Sequence, residues 1–232
     1  MRYKAVLLDM DGTVLDTLED LASAVNHSLE RFGLPQVSVE QVRASLGNGA
    51  AWLIGHCVPE GCPKELEERV LAFYKPYYDA HCRERTRPYE GIPALLAALR
   101  REGVKLAIIS NKPDPAVREL AAAFFPGLLS AAVGESARVR RKPNPDAVLA
   151  AAESLCLPLS ACVYVGDSEV DIQTAKNAGM DCISVSWGFR SREQLLEAGA
   201  EKIADTAAAL ERLLREAAPE PEHSCADGGA VV

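Results

Sequence analysis

The sequence predicts an α/β fold, a doubly wound parallel sheet whose chain is interrupted early by an all-helical block. Three observations lead there. The apolar run Val6-Leu7-Leu8 stops abruptly at Asp9-Met10-Asp11-Gly12-Thr13, as a buried strand does at the carboxyl edge of a sheet. From residue 18 to about 85, apolar residues recur only at helical spacing. After Pro88, short apolar strands alternate with helices of roughly 10–15 residues, the pattern of βαβ units.

Leu18, Leu21, Ala22, Val25, Leu29 and Phe32 mark the first helix, with Asp16 as its expected N-cap, Glu19 three residues later and Gly33 as its stop. A short helix over about 38–46 follows. The turn Gly47-Asn48-Gly49 then leads into a helix around Trp52. Pro63 opens a long helix with Leu66, Val70, Phe73, Tyr74 and Tyr77 on its apolar side. Beyond Pro88 the expected order is a helix over 93–101, a strand over 104–109 ending in Ser110-Asn111-Lys112, and a helix from Pro113-Asp114. A short strand ending near Val133 comes next, then a helix with Pro145 in its first turn. The strand 161–165 ends in Gly166-Asp167, a helix runs to Ala178, and 182–185 is a further strand. The division expected is an α/β core from 1–14 and 87–216, a helical insert over 15–86, and a disordered tail over 217–232, where periodicity is lost.

A hydrophobic content of 48% is ample for a core. The net charge of −8 lacks the basic footprint of a nucleic-acid binder, yet leaves a phosphate substrate open, because only local charge matters at a site. The seven cysteines are odd in number, scattered and without a Cys-x-x-Cys pair, so a reducing, cytoplasmic setting is expected. No run approaches the ~18 apolar residues of a membrane span, and no membrane partner is expected. A monomer or a homodimer is equally compatible with the chain.

Four polar clusters follow or border the strands: Asp9/Asp11, Ser110/Asn111, Lys142, and Asp167/Asp171. Strand ends of a doubly wound sheet share one edge, so these clusters can converge. Two carboxylates about 5 Å apart repel by roughly 3 kcal/mol at an effective dielectric near 20. A divalent cation is the usual remedy, and hard oxygen donors beside a lysine and a hydroxyl suit Mg²⁺ with a phosphoryl group. Taken singly, each cluster has a plainer reading. Asp-x-Asp-Gly is often a turn, Ser110 a helix cap, Lys142 part of the basic run from Arg138, and Asp171 a favourable charge at a helix start. A calcium loop beginning at Asp9 fails, since Val14 stands where glycine is required. Gly47-Asn48-Gly49 lacks the preceding strand and third glycine of a dinucleotide fingerprint. His27, His56, His81 and His223 all lie outside the four clusters, which argues against a Ser-His-Asp or zinc site.

The order Asp9-x-Asp11-Gly12-Thr13, Ser110, Lys142-Pro143-x-Pro145 and Gly166-Asp167-Ser168-x-x-Asp171 resembles the four motifs of the haloacid dehalogenase superfamily. The helical insert is similar to that family's C1-type cap, and Arg87-Pro88-Tyr89-Glu90-Gly91 resembles its phosphoglycolate phosphatases. The resemblance implies a Rossmann-like core and Mg²⁺-dependent hydrolysis of a small phosphate monoester, 2-phosphoglycolate first among the candidates. It implies Asp9 as nucleophile, Asp11 as acid and base, Lys142 as the neutralising cation, and Ser110 as a phosphoryl ligand. Asn111, Thr13 and the cap residue Asn48 are expected at the substrate. Mg²⁺ would lie on the carboxylates of Asp9 and Asp167 and the Asp11 backbone carbonyl, with Asp171 orienting from behind. Pyrophosphatase, sugar-phosphate phosphatase and phosphomutase activities are the alternatives within the family. A phosphonate-cleaving hydrolase is disfavoured, because no lysine occurs between Leu18 and Phe32. A phosphate-sensing regulatory protein is the non-enzymatic alternative.

Overall fold

In the computed structural model, residues 2–136 and 139–216 are described. Their main sheet has six strands, all parallel, and is built from β1 (Ala5–Leu8), β4 (Lys105–Pro113), β5 (Ala131–Glu135), β6 (Cys162–Gly166), β7 (Asp181–Val185) and β8 (Ile203–Ala204). Their spatial order is β5-β4-β1-β6-β7-β8. The chain thus winds outward from β1 on one side, returns, and winds outward on the other, which leaves a topological switch point between β1 and β6. Side chains alternate between the two faces, as strand geometry requires. Val6, Leu8, Leu106, Ile108, Val163 and Val165 enter one apolar cluster, whereas Ala5, Leu7, Ala107, Ile109 and Tyr164 enter the other.

The first face is covered by α5 (Ile92–Arg101), α6 (Asp114–Phe124) and α10 (Ala207–Arg215); the second by α7 (Asp146–Ser154) and α8 (Glu169–Ala178). A short α9 (Arg192–Glu197) precedes β8. Between β1 and β4 lie α1 (Leu18–Arg31), α2 (Val39–Ala44), α3 (Ala50–Cys57) and α4 (Lys64–His81). The two passages into and out of this helical block pair as a small antiparallel ribbon, β2 (Leu15–Asp16) with β3 (Arg87–Pro88). Buried Asp20 ties the ribbon to α1. Its carboxylate accepts from the Arg85 and Thr86 backbone N–H groups and from the Thr86 hydroxyl at 2.8–3.1 Å. Among the described residues no helix is long and apolar enough to cross a membrane.

Several boundaries move relative to expectation. Thr17, not Asp16, occupies the N-cap of α1, although Asp16 still accepts from the Leu18 N–H at 3.2 Å. Pro145 is the residue before α7, not one within its first turn. The strand expected to stop at Ile109 runs on to Pro113 as β4, because a register shift lets Pro113 pair with Glu135 of β5. The expected tail, 217–232, lies outside the described residues, as does Arg138.

Candidate active site

Register places the polar clusters. Leu8, Ile108 and Val165 sit side by side across β4-β1-β6, so Asp9 lies one residue beyond this row, and Ser110 and Asp167 two. A further bond from the Asp9 N–H to the Val165 carbonyl, 2.9 Å, holds the turn after β1 against β6. Gly12 has φ +81°, and a side chain there would run into the Asp167 carboxylate. Glycine therefore satisfies both the left-handed backbone and the close approach of the Asp9–Thr13 loop to Asp167.

Asp9, Asp167 and Asp171 are buried, and each offers a carboxylate oxygen within 4.8 Å of the others. Lys142 is their buried counter-charge: its Nζ is 2.8 Å from Asp9 Oδ1 and 2.7 Å from Asp171 Oδ1. The approach to Asp9 is off the hydrogen-bond axis, so that buried oxygen has no aligned donor. The Tyr164 hydroxyl donates to the Ile109 carbonyl at 3.3 Å and lies 3.1 Å from Lys142 Nζ, steadying the lysine. Asp171 is fully engaged, with Oδ2 accepting from the Ser168 N–H and hydroxyl and so forming a capping box on α8.

Three negative charges against one positive leave this pocket short of cations. Burial, aided by the charges of Asp171 and Asp11 and opposed by Lys142, pushes the Asp9 carboxyl up to about 7. Burial, together with the charges of Asp171 and Asp9, pushes Asp167 well above the usual carboxylate range. Burial opposes the charge on Lys142, yet Asp171 and Asp9 together hold its ammonium well above its ordinary value. The deficit of two positive charges, the all-oxygen donor set and the orphaned Asp9 oxygen fit a divalent cation. Asp11 stands outside this triad: its Oδ1 accepts from the Thr17 hydroxyl at 2.7 Å and pairs with Lys112 Nζ at 3.1 Å.

These groups face a partly enclosed cavity of about 60 Å³ between sheet edge and helical block. Leu53, Tyr74 and Tyr78 supply much of its roof, while Asp9, Asp11, Ser110, Lys142 and Asp167 line its floor. Core side chains reach up to grip the overlying loop. Arg190 donates to the Leu46 carbonyl (3.0 Å), Asn111 Nδ2 to the Gly47 carbonyl (2.9 Å), and Arg141 to the Asn48 carbonyl (3.1 Å).

Of three further residues expected at the substrate, Asn111 lines the cavity, whereas Thr13 and Asn48 do not. The Asn111 side chain is spent within the protein. Beyond Gly47 it donates to the Lys142 carbonyl (3.0 Å), and its Oδ1 accepts from the Lys142 N–H (2.8 Å), so it braces lysine and roof together. The Thr13 hydroxyl donates to Asp167 Oδ1 at 3.0 Å and thereby orients that carboxylate. Asn48 borders a neighbouring surface cleft with Trp52 and Arg141, while the flanking Gly47 and Gly49 meet the cavity. Conversely, Lys112, Tyr78 and Arg190 line the cavity without having been singled out. Lys112 had a usable signal, because it lies two residues after Ser110 in an extended run and so shares its side of the strand. Tyr78 and Arg190 had none, since only the folded chain brings them here.

A Rossmann-ordered sheet with a carboxylate-rich switch point under a helical roof is the architecture of a class of phosphohydrolases. Residues 6–185 match the model of haloacid dehalogenase-like hydrolases, and the chain belongs to that family. A phosphoglycolate phosphatase of Pseudomonas savastanoi pv. phaseolicola is 34% identical over 213 residues, covering 87% of this chain and 76% of its own. An N-acetylmuramic acid 6-phosphate phosphatase of Pseudomonas aeruginosa is 32% identical, covering 82% of this chain and 84% of its own. Among solved structures, a candidate phosphoglycolate phosphatase from Lactobacillus delbrueckii subsp. bulgaricus superposes with TM-score 0.88 at 42% identity, over 92% of this chain and 99% of its own. CbbY from Rhodobacter sphaeroides, solved in complex with phosphate, gives 0.75 at 27%, over 90% and 96%. The chain is a phosphoric monoester hydrolase.

Proposed function

We propose that this enzyme is a Mg²⁺-dependent phosphatase of small phosphate monoesters, with 2-phosphoglycolate as the favoured substrate and glycolate and phosphate as products. The observation that carries this reading is the orphaned, buried Asp9 oxygen facing a small cavity, with Lys142 beside it and Asp11 two residues on. Asp9 attacks phosphorus as its carboxylate while the bond from phosphorus to the ester oxygen breaks. Asp11 delivers its proton to that oxygen, which leaves as an alcohol, and an aspartyl-phosphate remains on Asp9. Asp11, now a carboxylate, takes a proton from water as the water oxygen attacks phosphorus. The bond to Asp9 breaks and restores its carboxylate. Lys142 and the Ser110 hydroxyl stabilise the phosphoryl oxygens throughout. The Asp9 and Asp167 carboxylates and the Asp11 carbonyl oxygen would hold Mg²⁺, which supplies electrostatic relief between phosphoryl group and carboxylates. The helical block over 15–86 acts as a cap that excludes bulk water.

A second reading, a sugar-phosphate phosphatase, draws support from the N-acetylmuramic acid 6-phosphate phosphatase relative. The small volume of the cavity, about 60 Å³, favours the smaller leaving group. Phosphate release measured as kcat/KM on 2-phosphoglycolate, pyrophosphate, hexose 1-phosphates, N-acetylmuramic acid 6-phosphate and nucleoside monophosphates decides between them, each with Mg²⁺ and with EDTA. The expected result is Mg²⁺-dependent turnover highest on 2-phosphoglycolate; a higher value on a sugar phosphate would overturn the substrate assignment.

A further inference from the structure

We propose that Lys112 is a specificity-determining residue whose ammonium binds a carboxylate on the leaving half of the substrate. This assignment rests on the phosphatase reading above and gives a residue to the selectivity that the reading leaves without one. The cavity has two buried lysines, and they are not equivalent. Lys142 is held between Asp9 and Asp171 at the phosphoryl end. Lys112 sits under the cap, with Nζ 3.1 Å from Asp11 Oδ1 and 2.6 Å from the Tyr78 hydroxyl, and 4.2 Å from the centre of the Tyr78 ring.

Its contact with Asp11 fixes which part of a substrate it meets. A proton passes from Asp11 to the leaving oxygen only across a hydrogen bond of about 2.7 Å. Lys112 is therefore next to the leaving oxygen and away from the phosphoryl group. In a 2-phospho acid the carboxylate carbon lies two bonds from that oxygen, about 2.4 Å away, which brings its oxygens within reach of an ammonium that already touches Asp11. The surrounding wall suits an anion. Lys75 of α4 also lines the cavity there, and these two cations face one further carboxylate, Asp79, whose buried Oδ1 has no hydrogen-bond partner. Burying a lysine at the mouth of a leaving-group site costs desolvation, and an anionic ligand offsets that cost only where water is excluded. The buried Tyr74 and Tyr78 of the cap roof shield this part of the cavity.

The rival role is purely local, with Lys112 only orienting Asp11. A comparison of two esters that differ in charge but hardly in size separates the two roles: 2-phosphoglycolate and 2-hydroxyethyl phosphate, with Mg²⁺, on wild type and Lys112→Met. Wild type is expected to prefer 2-phosphoglycolate, and Lys112→Met to cut that preference by about 30- to 100-fold, chiefly through KM. Lys112→Arg should restore part of it. An equal loss on both esters, or a wild type without preference, overturns the assignment while leaving the phosphatase reading intact. A wild type that hydrolyses neither ester overturns both. Should Lys112→Met fail to fold by circular dichroism, Tyr78→Phe removes one partner of the ammonium and keeps the roof. Its preference should fall by about 3- to 10-fold, and an unchanged ratio there counts against the proposal.

Discussion

The two ends of the cavity are built on different principles. At the Lys142 end every partner belongs to the sheet edge or to α8, and the groups brace one another: Tyr164 beside the lysine, Ser168 on Asp171, Thr13 on Asp167. At the Lys112 end, core and cap share the work, since Tyr78 comes from α4 and Asp11 is steadied by Thr17 at the start of α1. An end made only of core residues keeps its geometry whether or not the cap moves. An end shared with the cap is complete only when the cap is closed. The proposed nucleophile and its counter-charge therefore lie at the first end, whereas Asp11 and the residue proposed to select the substrate lie at the second, and Asn111, bonded to the Lys142 backbone and to the Gly47 carbonyl, ties the first end to the roof.

The largest effect should come from the core end. Asp9→Asn should lower kcat by on the order of 10⁴-fold or more, with a higher melting temperature for the metal-free protein, because one of three crowded carboxylates becomes neutral. Thermal unfolding alongside phosphate release checks both halves. Lys142→Met should cost about 10³-fold in kcat and about 3–5 kcal/mol of stability, since Asp9 and Asp171 then lie buried without their cation. Urea unfolding reads the second number. Asn111→Ala should cost about 10- to 100-fold in kcat/KM and leave the fold stable. It should also speed amide exchange around 46–49, where the cap loses one of its grips. Normal exchange there would separate Asn111 from the roof.

The smallest effect is on stability against pH without metal. Asp9 and Asp167 have folded-state pKa values raised above the ordinary 3.8. Their contribution is complete below the unfolded value and is lost as pH climbs through the folded one, about 7 for Asp9. The metal-free protein should therefore lose a few degrees of melting temperature between about pH 5 and pH 8, and saturating Mg²⁺ should flatten that slope. A metal-free melting temperature that rises across this window would contradict the picture of a cation-starved triad.

The sheet was legible because its strands carry uninterrupted apolar runs and end in charge. Asp9, Ser110 and Asp167 could be placed at one edge because parallel strands of similar length finish together. The paired residues 15–16 and 87–88, and the strand 203–204, are too short to show any period. The spacing of Leu210 and Leu214 does carry a helical signal for α10. Side-chain orientation was the other gap. Sequence order puts Thr13 and Asn111 next to the reacting groups, but hydrogen bonds formed only in the fold turn one toward Asp167 and the other toward Lys142 and Gly47. Lys112 shows how far the reading could have gone, for strand alternation alone aligns it with Ser110.

The central claim is that Asp9 carries the phosphoryl group during turnover. Mixing the enzyme with 2-phosphoglycolate and Mg²⁺, quenching in acid within the first turnover and mapping peptides by mass spectrometry tests it directly. The expected result is the added mass of one phosphoryl group on the peptide containing Asp9, absent from Asp9→Asn and lost on treatment with hydroxylamine. Steady phosphate release with no phosphorylated Asp9 peptide at any quench time, or with the label on another residue, would contradict it.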